Sequence, residues 1–232
     1  MGKIKYDDGT IYVGDVKNGL AHGKGKLTYS NGDRYEGEMY ENTFHGHGTF
    51  WYSDGTYYKG QFTNGQITGL GLMIYPDGDK YEGDFIKGER NGKGIFTFKD
   101  GGSYTGEFKK GYFHGKGIRI YENGSKYTGD FVEGAEHGQG HYIFSGGGWY
   151  VGDFKDGAFE GKGSIEYTNG DKYEGDFVDN KAHGFGTFWF HDKTIYRGGV
   201  VNGILHGEAE VWLPDGRYFK ARFENGKAVQ TY

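Results

Sequence analysis

Histidine is the residue type of this chain whose spacing first suggests a chemical site. Six histidines recur at one position of a pattern that repeats every 23 residues: His22, His45, His114, His137, His183 and His206. Imidazole is a common zinc ligand, but nitrogen atoms that share one zinc ion lie about 2.0–2.1 Å from it. Adjacent copies of a two-stranded repeat would lie about 10 Å apart. We therefore interpret these histidines as structural, and predict no metal site and no cofactor.

Gly-Lys-Gly triplets, among them those centred on Lys93, Lys116 and Lys162, resemble part of a phosphate-binding loop. In such a loop serine or threonine follows the lysine, and a helix then presents its N-terminus to the phosphate. Here glycine follows each lysine, and no helical pattern follows. The chain also has no cysteine and no Gly-x-Ser-x-Gly nucleophile motif. Acidic residues recur with the repeat, as expected for strand faces and turns that are exposed to solvent. We predict that the protein is not an enzyme.

The composition excludes several other classes of protein. Aromatic residues make up 19% of the 232 residues, and 48 residues are glycine. The chain is thus too aromatic to be disordered, and it has no run of about 18 apolar residues that could span a membrane. A net charge of -5 argues against non-specific binding to nucleic acid. Because the N-terminus has no apolar signal-peptide region, we expect a cytoplasmic protein.

The elements that carry these residues are predicted to be β-hairpins. Tyr35-Glu36-Gly37-Glu38-Met39 is one copy of a segment that returns every 23 residues, and its alternation is typical of a half-buried strand. Leu27 and Tyr29 mark a second strand. The turn between the strands is Pro76-Asp77-Gly78 in a later repeat, and proline there suits a type I turn and excludes type I′. A three-residue turn of this kind puts the aromatic residues of both strands on one face.

The connection at the other end of each hairpin is predicted to be longer. In the first repeat it extends from Lys17 to Lys24 and ends in the motif His22-Gly23-x-Gly25. Two glycines at the start of a strand indicate a bend or a close approach of two backbones.

The repeat resembles the MORN repeat. The shared pattern is Tyr-x-Gly-(Asp/Glu)-(Phe/Met) followed by His-Gly-x-Gly-x-(Leu/Phe)-x-(Tyr/Phe)-x-(Asp/Asn)-Gly, and it covers the chain in about nine and a half copies. The expected fold is all-β: an elongated, twisted, single-layer antiparallel sheet of tandem 23-residue β-hairpins, a MORN-repeat ribbon. Residues 1–232 would form a single array. Residues 1–9 would be an N-terminal half-hairpin cap, 10–216 regular repeats and 217–232 a degenerate C-terminal cap.

The resemblance implies a scaffold or targeting module near membranes and the cytoskeleton, and it does not imply one activity. We predict a non-catalytic repeat scaffold that binds protein partners in cytoskeletal, flagellar or membrane-junction assemblies. Two alternatives stay open, namely a phosphoinositide-binding membrane-targeting module and the regulatory repeat region of a larger enzyme. The expected localisation is cytoplasmic, with association to the cytoskeleton or to a membrane.

Three surfaces are candidates for these contacts. A groove on the aromatic face could hold a protein partner such as a helical segment. Its predicted lining is Tyr58, Phe62, Tyr81, Phe85, Tyr104, Phe108, Tyr127, Phe131, Tyr150 and Phe154.

An apolar stripe on the outer face suits contact with a partner or with a second copy in a homodimer, unless it reflects β-propensity alone. The stripe consists of Leu72, Ile74, Ile95, Ile118, Ile120 and Ile143. A basic cluster could make weak contact with anionic lipid. It consists of Lys87, Arg90, Lys93, Lys109, Lys110 and Lys116.

Overall fold

The computed structural model describes residues 1–232, which form β-strands and turns and no helix. No helix is therefore present that could cross a membrane. The chain divides into two compact units, residues 1–113 and 114–232. The strands of the first unit are β1 (Gly2–Lys5), β2 (Ile11–Lys17), β3 (Leu20–Thr28), β4 (Arg34–Tyr40), β5 (Thr43–Trp51), β6 (Tyr57–Thr63), β7 (Gln66–Ile74), β8 (Lys80–Ile86), β9 (Glu89–Thr97) and β10 (Ser103–Lys109).

The second unit contains the remaining strands, the first of which begins just before the unit boundary. They are β11 (Tyr112–Ile120), β12 (Lys126–Val132), β13 (Ala135–Ile143), β14 (Trp149–Lys155), β15 (Ala158–Glu166), β16 (Lys172–Val178), β17 (Lys181–Trp189), β18 (Ile195–Val201), β19 (Ile204–Trp212), β20 (Tyr218–Glu224) and β21 (Lys227–Thr231).

Within each unit, every strand pairs antiparallel with the next strand of that unit. Leu27 lies opposite Tyr35 across a three-residue turn, as the prolines of the related turns predict. The Gly32 amide donates to the Tyr29 carbonyl at 3.1 Å, and Gly32 has a φ of 94° in the left-handed region. The predicted fold class of tandem antiparallel hairpins is confirmed.

The prediction of a long connection at residues 17–24 is wrong. Asn18 and Gly19 have φ values of 52° and 79°, so they form a two-residue turn with positive φ at both central positions. This is the type I′ geometry that matches the twist of the flanking strands. β3 therefore begins already at Leu20, and the register shifts opposite His22-Gly23, where β3 forms a bulge.

A carboxylate on the neighbouring strand stabilises several of these bulges. Asp15 Oδ2 accepts a hydrogen bond from the Lys24 amide at 3.2 Å. Asp84 Oδ2 makes the equivalent bond to the Lys93 amide at 2.9 Å. This part of the recurring acidic column therefore satisfies backbone donors that the bulge removes from the strand ladder.

Because β3 starts early, one more residue per repeat faces the aromatic side of the sheet. In the first repeat this residue is Ala21, which is 0% exposed. We call this position the post-turn position. Its later occupants within the two units are Phe44, Ile67, Arg90, Phe113, Glu136, Phe159, Ala182 and Leu205.

The tyrosine that opens each repeat is the centre of the core. Tyr150 is 0% exposed, and its ring stacks on Phe159 with a centroid distance of 3.8 Å and an interplanar angle of 6°. The Tyr150 hydroxyl donates to the Asp153 carbonyl at 2.9 Å. The ring lies over Gly152 and Gly163, which are opposite each other on β14 and β15. A Cβ atom at Gly152 would lie 2.5 Å from the Gly163 Cα, so this close approach requires glycine.

Candidate functional site

The aromatic residues that were predicted to line a groove form the core instead. All ten have side chains that are 3% exposed or less. They are Tyr58, Phe62, Tyr81, Phe85, Tyr104, Phe108, Tyr127, Phe131, Tyr150 and Phe154. Their rings pack over glycine pairs and against each other, so they have almost no surface for a partner. We correct their assignment from partner contact to packing, although the edge of Phe154 reaches the cavity described next.

The aromatic face of the second unit does contain a groove, with a volume of about 580 Å³. Different residues line most of it, and they come from three positions of the repeat. The side chains that shape it are Tyr121, Glu136, Tyr142, Phe144, Phe159 and Tyr167. The buried side chains Phe154 and Ile165 also border it, together with Gly157 and Asn180 at the turns.

The three-residue turns hold one wall of this groove. Tyr121, Phe144 and Tyr167 each directly precede such a turn, and their carbonyls accept hydrogen bonds from the turn glycines at 2.9, 3.0 and 2.9 Å. Phe144 lies 6.1 Å from Phe159 at an angle of 80°, and Tyr142 lies 4.9 Å from Phe144. Edge-to-face and tilted ring contacts at such distances are favourable, so the wall is preorganised.

Glu136 is the charged residue among those that line the groove. It occupies the post-turn position, and the Tyr121 hydroxyl donates a hydrogen bond to its Oε1 atom. Burial, followed by the Glu136 carboxylate, raises the pKa of Tyr121. The hydroxyl therefore remains a donor at neutral pH. Arg119, which the sequence places in an apolar column, lies against the same tyrosine, with its guanidinium carbon 4.9 Å from the ring centroid.

The predicted basic cluster is only partly available at the surface. Arg90 turns into the aromatic face of the first unit, with its guanidinium carbon 4.8 Å from the Phe96 centroid. Its Nη2 atom donates to the Gly111 carbonyl at 2.7 Å. The assignment of Arg90 to a lipid contact is therefore corrected. In the second unit, Lys116 forms an ion pair with Asp130 at 2.6 Å. Lys116 is nevertheless exposed, as are the other members, namely Lys87, Lys93, Lys109 and Lys110.

The outer apolar stripe is accessible to different degrees. In the first unit Leu72 and Ile74 are half-buried, whereas Ile95 is exposed. The members in the second unit are all exposed: Ile118, Ile120 and Ile143. These side chains are open to contact, and their binding role remains a prediction.

The recurring histidines take part in packing between neighbouring strands. His22 and His45 lie beside Tyr40, with centroid distances of 5.1 and 5.9 Å. The His137 Nδ1 atom is 3.8 Å from the Asp156 carboxylate. These contacts give the histidines neighbours on the adjoining strand or at its end, which suits the structural interpretation.

Fold and groove together define the class of this protein, a tandem array of β-hairpins whose aromatic face packs around tyrosine and glycine. Nine consecutive segments match the MORN repeat, at residues 12–34, 35–57, 58–80, 81–103, 104–126, 127–149, 150–172, 173–195 and 196–216. The chain belongs to the MORN-repeat family. No curated protein sequence matches it.

Solved structures with a similar fold include a domain from zebrafish. The wild-type TCP10 domain of Danio rerio CPAP in complex with a peptide of Danio rerio STIL has a TM-score of 0.53 at 12% identity, over 99% of this chain and 97% of that one. The TCP domain of Drosophila melanogaster SAS-4, in complex with a proline-rich motif of Ana2, has a TM-score of 0.34 at 14% identity. That alignment covers 87% of this chain and 90% of the fly domain.

Proposed function

We propose that this protein is a non-catalytic repeat scaffold that binds a peptide segment of a partner protein in the aromatic groove of its second unit. The observation that carries the proposal is the groove itself, about 580 Å³ and bordered by rings with the Glu136 carboxylate and the Asn180 amide at its edge. Ligand sites are typically of this size and are mostly apolar, with a few polar groups that orient the ligand.

The aromatic residues of the groove suit peptide binding for a physical reason. Tyrosine and phenylalanine side chains offer a large contact area and lose little conformational entropy when a ligand binds. The structure of the zebrafish domain of similar fold contains a bound peptide, which supports a peptide as the class of ligand here. The groove has room for a few side chains of a peptide. A helix is the first peptide conformation to test, and circular dichroism of the bound peptide would detect it.

The test is a selection of peptides from a displayed random library on the full chain, followed by calorimetric titration of the selected sequences. Tyr167 is 39% exposed and lies in the groove, so Tyr167→Lys puts a charge there without opening the core. We expect Tyr167→Lys to weaken peptide binding at least tenfold, roughly the effect of losing one aromatic contact at an interface.

Tyr40 provides the matched control for this experiment. It is 52% exposed and lies outside the groove, so Tyr40→Lys introduces the same change elsewhere. Binding by Tyr40→Lys should equal that of the wild type. Selected peptides that bind Tyr167→Lys as tightly as the wild type would refute groove binding.

Contact with anionic lipid is a second candidate, favoured by one feature of the first unit. Ile86 and Tyr112 are 55% and 59% exposed beside Lys87, Lys109 and Lys110. Apolar and basic side chains that project together are typical of surfaces that attach to membranes. Sedimentation with vesicles that contain a phosphoinositide should be lost in a Lys87→Glu, Lys109→Glu, Lys110→Glu variant. Sedimentation that persists in this variant would remove the candidate.

The cellular setting is proposed on the broader family resemblance. We propose a cytoplasmic scaffold in cytoskeletal, flagellar or membrane-junction assemblies, and imaging of the tagged protein tests this. We also propose that the exposed members of the outer apolar stripe contact a second copy of the chain or another partner.

A further inference from the structure

The two units contain the same arrangement of residues with opposite charges at its centre. Adding 46 to a residue number moves from a position in the first unit to its equivalent two repeats later. Arg90 thereby corresponds to Glu136, and both occupy the post-turn position. The residues around them correspond in the same way: Tyr75 to Tyr121, Phe96 to Tyr142, Phe108 to Phe154 and Gly111 to Gly157.

In the first unit the centre of this arrangement is filled from within the chain. The guanidinium carbon of Arg90 lies 4.8 Å from the centroid of Phe96, 5.8 Å from that of Tyr75 and 6.0 Å from that of Phe108. Its Nη2 atom donates to the Gly111 carbonyl at 2.7 Å. Aromatic faces attract a cation through their quadrupole, and the carbonyl adds a directional hydrogen bond. The surroundings of Arg90 thus form an aromatic cage for a guanidinium group.

In the second unit the equivalent rings border the groove. Tyr121, Tyr142, Phe154 and Gly157 all line the cavity, and so does Glu136 in place of the arginine. The backbone is the same at this point, because the Gly157 amide donates to the Glu136 carbonyl at 2.9 Å just as the Gly111 amide donates to the Arg90 carbonyl. The second cage therefore has aromatic walls, a backbone carbonyl edge and a carboxylate.

We propose that the cage around Glu136 binds an arginine side chain of the partner peptide. This inference rests on the peptide-binding function proposed above and names the chemistry of one contact. A guanidinium group would stack on the rings as Arg90 does in the first unit, and it would gain a charge-assisted hydrogen bond to Glu136. Tyr121 orients the carboxylate through the hydrogen bond from its hydroxyl to Oε1. The second oxygen, Oε2, is directed towards Gly157, since it would lie 3.3 Å from a Cβ atom added there.

An arginine fits this cage better than a lysine or an apolar side chain. The planar guanidinium group can stack on a ring and donate to two acceptors at once, whereas an ammonium group is a compact point charge. An apolar side chain would cover the Glu136 carboxylate without pairing it, and desolvating an unpaired charge is costly. Arg119, which packs on Tyr121, is not among the residues that line the cavity.

The experiment uses the peptides selected on the full chain and asks which of their residues reach the cage. We expect the selected sequences to share an arginine, and its replacement by norleucine to weaken binding about tenfold or more, since a hydrogen bond to a charged group contributes at that level. Replacement by lysine should weaken binding less than norleucine does.

Two substitutions at Glu136 test the site from the side of the protein. Glu136→Arg recreates the first cage, so its own guanidinium group should occupy the rings and abolish the contribution of the peptide arginine. Glu136→Gln keeps the shape, removes the charge and should reduce affinity about tenfold. Glu133→Gln is the matched control, because Glu133 is an exposed turn residue outside the cavity. Melting temperatures establish that each variant folds, and Glu136→Gln decides the matter if Glu136→Arg does not fold.

The outcomes separate this inference from the proposed function. Peptides that are sensitive to Tyr167→Lys but share no arginine, or that bind Glu136→Gln as tightly as the wild type, would overturn the arginine cage and leave groove binding intact. Peptides that are insensitive to Tyr167→Lys would overturn both.

Discussion

The two faces of each sheet differ although they are made by alternate residues of the same strands. On β14, Tyr150 is 0% exposed and the adjacent Val151 is 43% exposed. On the inner face, rings pack over paired glycines, and a Cβ atom at Gly152 would lie 2.5 Å from the backbone of the next strand. On the outer face, side chains such as Lys26 and Glu36 pair across neighbouring strands and remain largely exposed to solvent. Substitutions should therefore be costly inside and tolerated outside, which leaves the outer face free to vary in its contacts.

The inner face itself contains positions of both kinds. The opening tyrosine is buried in each of the nine repeats, whereas the post-turn position changes from alanine to phenylalanine, arginine and glutamate. The tyrosine packs on its own repeat and on the phenylalanine of the next one, as Tyr150 does on Phe177 at 4.9 Å. The post-turn side chain covers or opens the space next to it, as the contrast between Arg90 and Glu136 shows. The inner face thus combines a tyrosine core that is the same in every repeat with a post-turn position that varies from repeat to repeat.

The largest effect should come from adding one methyl group to the inner face. In Gly152→Ala the new Cβ would meet the Gly163 Cα at 2.5 Å and the Tyr150 hydroxyl at 2.6 Å. Neither the backbone nor the packed ring can move far, so we expect a loss of about 3 kcal/mol in unfolding free energy. Urea titration followed by circular dichroism measures the loss.

Gly146→Ala is the control for this comparison. Gly146 lies in a turn, and nothing is within 4 Å of an added Cβ atom there. Its unfolding free energy should change by less than about 0.5 kcal/mol. Equal losses in the two variants would contradict the contrast between a crowded inner face and open positions elsewhere.

Much of this fold could be predicted from the sequence because the repeat has no insertion. The proline in Pro76-Asp77-Gly78 fixed the turn type, and the turn type fixed which residues of neighbouring strands share a face. The functional surface was harder to predict. Periodicity identifies Tyr150 and Phe154 as inward-facing, but it does not distinguish a buried ring from one that borders a groove, which depends on the size of neighbouring side chains.

The post-turn position was missed for a specific reason. Asn18-Gly19 is a strong signal for a type I′ turn, and counting alternate residues from it places Ala21 on the inner face. The glycines after His22 concealed this pattern, because a bulge interrupts the period of two. Arg90 and Glu136 could then be recognised only as charges in a loop, although both face the aromatic side.

A second, intermediate effect should appear at alkaline pH. Burial raises the pKa of Tyr58, Tyr173 and Tyr196 to about 12, against an ordinary value near 10. A group whose pKa is higher in the folded state stabilises the fold fully below its unfolded pKa, and this stability is lost as pH rises through the folded pKa. The urea midpoint should therefore fall between about pH 10 and pH 12.

Tyrosinate absorbance at 295 nm, recorded with the urea midpoint, checks this prediction. The core tyrosines should ionise only as the protein unfolds, and Tyr58→Phe should make the dependence on pH less steep. If the hydroxyl groups ionise in the folded protein with no loss of stability, the inner face is more open than the packing of its rings indicates.

The smallest effect on stability should come from the outer face, where the apolar stripe of the second unit can be charged without disturbing the core. Ile118 and Ile120 are 38% and 43% exposed and lie opposite Thr128 and Lys126 on β12. A lysine opposite Lys126 would repel it, so the variant is Ile118→Lys with Ile120→Glu. We expect the unfolding free energy to change by less than about 1 kcal/mol, since exposed substitutions seldom cost more.

The same variant tests the stripe as a contact surface, because the two charged side chains that replace the isoleucines would have to be desolvated in an interface. Sedimentation equilibrium should show weaker self-association, or a titration weaker partner binding, than in the wild type. Val178→Lys with Val201→Glu is the control, since these valines are 41% and 42% exposed and lie outside the stripe. If both variants associate like the wild type, the isoleucines reflect β-propensity alone, and the groove around Glu136 would be the surface to which binding studies should turn.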